Sequence, residues 1–101
     1  MNLKEDLQLE CNIKVATRLK QLRLEHSFSI KELSQRTGIS PYNLSKIEKC
    51  LRLIEMYEVI LIAFAYDLDW LEFIKELCKF YTDEFGKKAI LQKESNHPNR
   101  S

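Results

Sequence analysis

The chain has 101 residues, 45% hydrophobic and 31% charged, with two glycines, two prolines and a net charge of +1. That length fits one domain with a modest core, and no run alternates apolar and polar residues as a half-buried strand does, so an all-α fold is expected. The N-terminus MNLKEDLQLE is charged with no apolar block behind it, and the longest apolar run, Val59–Tyr66, is too short for a bilayer, so neither a secretory leader nor a membrane span is expected.

Residues 1–12 leave two readings open. Leu3 and Leu7, four apart, make either a first helical turn that runs onward or a frayed N-terminal extension. A helix is expected from about Ile13 to Glu25, with Val15, Ala16, Leu19 and Leu22 as its apolar stripe and Arg23 beside that stripe. Phe28 follows as a core plug. Ser29 with Glu32 three residues later fits a capping box for a second helix, Ile30 to about Arg36, with Leu33 inward. Gly38 suits a left-handed turn. Ser40-Pro41 is a strong helix start, because the hydroxyl caps free N–H groups and proline at the first helical position forfeits no hydrogen bond. From Pro41 to about Lys49, Leu44 and Ile47 share one face, opposite Tyr42, Asn43, Lys46 and Lys49. Two short helices around a tight turn make a helix-turn-helix, whose second helix offers its N-terminal residues to the DNA major groove.

Cys50 to Arg52 form a connection without glycine or proline. A fourth helix, Ile54 to about Tyr66, has only Glu55 and Glu58 as clearly polar residues, more apolar surface than one small core covers. Asp69 is placed to cap a fifth, Trp70 to about Tyr81, whose apolar stripe is also wide. Such surplus marks an interface, and a symmetric homodimer is expected through Tyr57, Leu61, Phe64, Trp70, Phe73, Ile74 and Leu77. After Gly86 the composition turns polar: a short helix over Lys87–Lys93 and a partly disordered tail from Ser95 are expected. The domain plan is an extension at 1–12, a DNA-binding and dimerisation domain at 13–85, and a tail at 86–101.

Charge is distributed unevenly. Residues 14–52 hold nine Lys/Arg against three Glu, and residues 53–86 hold two lysines against eight acids. The basic block coincides with the helix-turn-helix, as nucleic-acid binding requires. Cys11, Cys50 and Cys78 form no C-x-x-C pair and His26 and His97 do not cluster with them, so no metal site is expected and the thiols suit a reducing cytoplasm. No catalytic constellation, phosphate-binding glycine loop or paired-acid motif is visible, so neither an enzyme nor a cofactor is expected.

The segments RLKQLRLEHSFSIKELSQRTGIS, PYNLSKIEK and VILIAFAYDLDWLEF, from Val15 to Leu77, resemble the lambda/434 repressor–Cro (XRE) family of helix-turn-helix regulators. WLEFIKELCKF is similar to the last helix of small restriction–modification controllers. The resemblance implies a five-helix lambda-repressor-like domain that binds double-stranded DNA as a homodimer, with the C-terminal helix in the dimer interface. Carried over by position, Ser40, Pro41, Tyr42, Asn43 and Lys46 would read bases. Ser29 and Lys31 would meet phosphate where the scaffold helix begins, with Arg36, Lys49 and Arg52 as further phosphate contacts. Arg23 and Glu48 would form the family's structural ion pair. Cys50 replaces a usual glycine and Ile54 a common proline, which implies a less sharply turned loop. Ile30 stands where glutamine is common. An antitoxin or other protein-interaction module, with a protein partner, is the alternative.

Overall fold

The computed structural model describes residues 3–96 as five α-helices: α1 (Leu3–Glu25), α2 (Ile30–Thr37), α3 (Pro41–Glu48), α4 (Met56–Ala65) and α5 (Trp70–Asn96), with no strand among the described residues. The expected all-α, five-helix architecture is therefore present, but its two outer helices are longer than expected. The boundary placed at residue 13 falls inside α1, because the described stretch before it has no breaker and is tied to α5. Cys11 is buried and donates its thiol to the Phe80 carbonyl (3.4 Å), and the Tyr81 hydroxyl donates to Asn12 Oδ1 (2.8 Å). These pairs, with Arg18 on Glu76 at 2.6 Å, run α1 and α5 antiparallel. At the other end α5 passes through Gly86, since one helical glycine costs only about 1 kcal/mol and no proline intervenes. Of the tail expected from Ser95, residues 95 and 96 belong to α5, and residues 97–101, like the first two residues of the extension, lie outside the described residues.

The starts and stops follow local chemistry. Ser29 Oγ accepts from the Glu32 N–H (3.0 Å) and the Glu32 carboxylate reaches back to the Ser29 N–H (3.4 Å), completing the capping box. Gly38 ends α2 at φ 79°, a left-handed conformation that a side chain resists. Ser40 Oγ then accepts from the Asn43 N–H (3.1 Å) with Pro41 in the first turn of α3. Asp69 Oδ1 accepts from the Leu71 and Glu72 N–H groups at 3.0 and 3.1 Å and opens α5.

The core gathers a few residues from every helix. Val15, Leu19 and Leu22 meet Leu33, Leu44, Ile47, Val59, Ile62, Ala63, Phe73 and Leu77, and Phe28 packs against this cluster from the α1–α2 turn. Leu44 and Ile47 are therefore inward and the rest of α3 is held by its apolar side.

The connection after α3 corrects two expectations. Cys50 adopts φ 59°, and the Leu51 N–H returns to the Lys46 carbonyl at 2.9 Å, so the turn is as tight as a glycine would make it. α4 begins at Met56 and not Ile54, because Glu55 is the extended cap residue and Ile54 instead packs against the core. A non-glycine residue in the left-handed region costs roughly 1 kcal/mol, so Cys50→Gly is expected to stabilise the fold by up to about 1 kcal/mol. Chemical denaturation would check this; a lower unfolding midpoint would show that the Cys50 side chain contributes more than its backbone costs.

Candidate nucleic-acid interface

α3 is presented by a carboxylate–guanidinium fork at its far end. Arg23 Nε lies 2.7 Å from Glu48 Oε2 and one terminal nitrogen 3.0 Å from Oε1, while the other donates to the Phe28 carbonyl at 2.8 Å. One side chain of α1 thus ties the last residue of α3 and the turn before α2. The Arg23 and Glu48 side chains are 12% and 8% exposed, where water screens the pair little. The hydrogen bond to Glu48 holds the Arg23 pKa above its ordinary value. This is the structural ion pair expected of Arg23 and Glu48, and it keeps Arg23 away from the outer surface.

Leu44 and Ile47 anchor α3, and the residues expected to read bases are exposed to differing degrees. Ser40 and Pro41 are exposed, Tyr42 is 67% exposed, and Asn43 and Lys46 are half-buried. Lys46 Nζ sits 4.7 Å from the centroid of the Tyr42 ring, one turn earlier. Lys31 and Lys49 are exposed on the same helix-turn-helix, as is Ser29, whose hydroxyl is already engaged in the cap of α2. Arg36 is exposed with its guanidinium 4.5 Å over the Phe28 ring, a contact that leaves the edge of the fork open to an anion.

Arg52 is not available in the same way. Its two terminal nitrogens donate to Glu58 Oε1 and Oε2 at 2.9 and 2.8 Å, and one also meets the Leu53 carbonyl at 3.0 Å. Arg52 thus serves the α3–α4 loop, which corrects its place among the phosphate contacts. Glu58 also accepts from the Glu55 N–H at 2.9 Å. It is only 1% exposed, not the outward polar residue that the pattern of α4 suggests. The Arg52 hydrogen bond, helped by the Glu55 N–H, holds the Glu58 carboxyl below its ordinary range despite burial. The signal in the sequence was an acid within an otherwise apolar helix, six residues after an arginine.

The apolar face expected to join two copies is present in part. Tyr57, Phe64 and Trp70 are exposed, and Leu61 and Ile74 are half-buried. Phe73 and Leu77 are 2% and 5% exposed and belong to the subunit core, so they have no surface left for a second copy. Leu51 and Leu53 of the α3–α4 connection and Met56 at the start of α4 are exposed as well. Among the described residues no group of three His, Cys, Asp or Glu could hold a metal ion, and no helix is long and apolar enough to cross a membrane.

Residues 18–83, more than half of the chain, match the family described as the Cro/C1-type HTH DNA-binding domain. No curated protein matches the chain.

Behind the interface, Tyr66 is buried against His26 and Phe28, with ring centroids 4.5 and 5.4 Å away, and its hydroxyl has no hydrogen-bond partner among the described residues. Burial, and then the charge of Glu48, push its pKa up to about 12 from 10.0. The folded-state value lies above the unfolded one, so the hydroxyl's contribution is intact below pH 10. It is lost between pH 10 and 12, where only the unfolded chain ionises. Relative to Tyr66→Phe, wild-type stability is expected to fall by on the order of 2 kcal/mol across that range. Parallel denaturation curves at pH 9 and 12 check this; a constant difference would contradict it.

Proposed function

As the chain belongs to the Cro/C1-type helix-turn-helix DNA-binding domains, we propose that it is a transcriptional regulator that binds a pseudo-palindromic operator as a homodimer. The observation that supports this reading is the placement of α3: Leu44 and Ile47 are buried, while Ser40, Pro41 and Tyr42 at its N-terminal end are exposed and Asn43 and Lys46 are partly exposed. The N-terminal turn of α3 enters the major groove. Ser40 donates its hydroxyl, Asn43 pairs with an adenine edge or a phosphate, Lys46 donates to guanine O6 or N7, and Tyr42 and Pro41 offer apolar contact. Lys31, Arg36 and Lys49 meet phosphates together with Ser29 and the free N–H groups that open α2.

Dimerisation uses Tyr57, Leu61 and Phe64 of α4 with Trp70 and Ile74 of α5. An apolar strip of this kind on a DNA-binding domain is complementary to itself across a two-fold axis, and two copies of α3 then lie one helical turn of DNA apart, about 34 Å. The action is binding in place of catalysis, in a reducing cytoplasm that suits the half-buried Cys50 and exposed Cys78 thiols. Ile30, one of two departures with Pro41 that favour a protein-interaction module, packs against the core. Its apolar character therefore has a folding reason, and DNA binding does not have to be lost to explain it.

Fluorescence anisotropy with a random-sequence duplex tests this. Binding is expected at 50 mM salt and should weaken steeply by 200 mM. Lys49→Ala should reduce the slope of log affinity against log salt by about 0.9 per lost phosphate contact, roughly two for a dimer. Phe64→Glu should sediment as a folded monomer. No binding at low salt would overturn the DNA reading, and an unchanged sedimentation coefficient for Phe64→Glu would overturn the proposed dimer face.

A further inference from the structure

Lys46 and Tyr42 are one helical turn apart on the outer face of α3, and the ammonium lies 4.7 Å from the ring centroid. Among the described residues Lys46 makes no ion pair, so the ring is the partner that sets where the ammonium stands. Tyr42 is 67% exposed, which leaves its outer face and edge open.

This matters because lysine is a poor base reader by itself. Its stem has many rotamers, and its ammonium is a point charge that neutralises a phosphate as readily as it donates to a base. An aromatic face four residues earlier restricts the stem and orients the charge. Arg36, the neighbouring exposed cation, is held differently, over Phe28 of the α1–α2 turn. The Tyr42–Lys46 contact lies wholly within the helix expected to enter the groove.

The geometry points to Tyr42 as the positioning residue for Lys46, the two acting as one reader that selects a guanine with a thymine close by. The inference rests on the DNA-binding reading above. Lys46 donates to guanine O6 and N7, the strongest paired acceptors in the major groove, and the open side of the Tyr42 ring takes the thymine methyl. Four residues of helix advance about 6 Å, and successive base pairs are about 3.4 Å apart, so the thymine lies within two base pairs of the guanine. Tyr42 thereby contributes at two positions: directly at the thymine, and through Lys46 at a guanine it does not touch.

Selection from a random duplex pool with the full chain, followed by competition binding of single-base variants, tests the assignment. Wild type should enrich a guanine with a thymine within two base pairs in each half-site, and Lys46→Ala should lose the guanine preference alone. Tyr42→Leu keeps an apolar side chain but removes the ring. It should lower discrimination at the guanine about two- to fivefold, the range of an exposed cation–ring contact. Tyr42→Phe should restore that discrimination, which a purely structural role or a hydroxyl–phosphate contact would not predict. Undiminished guanine discrimination in Tyr42→Leu, or a loss in Tyr42→Phe equal to that in Tyr42→Leu, would overturn the coupling while leaving DNA binding in place. Failure of wild type to enrich any sequence at low salt would overturn the DNA reading itself, and this inference with it.

Discussion

The Arg23–Glu48 fork is the contact on which the presentation of α3 depends. An eight-residue helix is too short to be stable alone, and α3 has only two fully buried side chains, Leu44 and Ile47, to hold it by its apolar side. Apolar packing fixes which face turns inward but is non-directional and resists sliding weakly. A bidentate guanidinium–carboxylate pair is directional and adds geometric specificity at the helix end. The third Arg23 bond, to the Phe28 carbonyl, extends the same restraint to the turn that begins α2. Both helices of the DNA-reading unit are thereby referred to one residue of the long, stable α1.

The Arg52–Glu58 fork repeats the device on the other side of α3. It closes the loop after the recognition helix and meets the first turn of α4, so the tight turn at Cys50 lies between two arginine clamps. A division of labour follows among the basic residues. Arginines 23 and 52 are engaged by carboxylates that cancel their charge, and Arg18 bridges α1 to Glu76 of α5. On the helix-turn-helix, Lys31, Arg36, Lys46 and Lys49 are in no ion pair among the described residues. A small net charge is thus compatible with a basic face, because much of the remaining charge is paired internally.

Short-range features could be read from the residues alone. The caps at Ser29, Ser40 and Asp69 and the turn at Gly38 each involve groups within three or four positions, where spacing nearly dictates geometry. Helix length was harder. A change in composition does not end a helix without a breaker or a competing cap, so α1 begins before residue 13 and α5 passes Gly86. Periodicity revealed that α4 and α5 are too apolar for one core, but not which residues the core uses. Phe73 and Leu77 went inward, because α5 packs against both α1 and α4, while Tyr57 and Phe64 of α4 stayed out. Glu58 was hidden too. Local pattern places an acid in water, and only the path of the loop brings Arg52 to it.

The most direct measurement of the central claim is residue-resolved amide hydrogen exchange on Arg23→Met beside wild type. Loss of one partner of a nearly buried pair costs about 3–5 kcal/mol, and the cost should fall first where the fork acts. The α3 amides, Leu44 to Glu48, are expected to lose protection well beyond those of α4 and the core half of α5. Protection in α3 that falls no more than in the other helices would contradict the account, since the fork would then add to overall stability without fixing the position of the recognition helix.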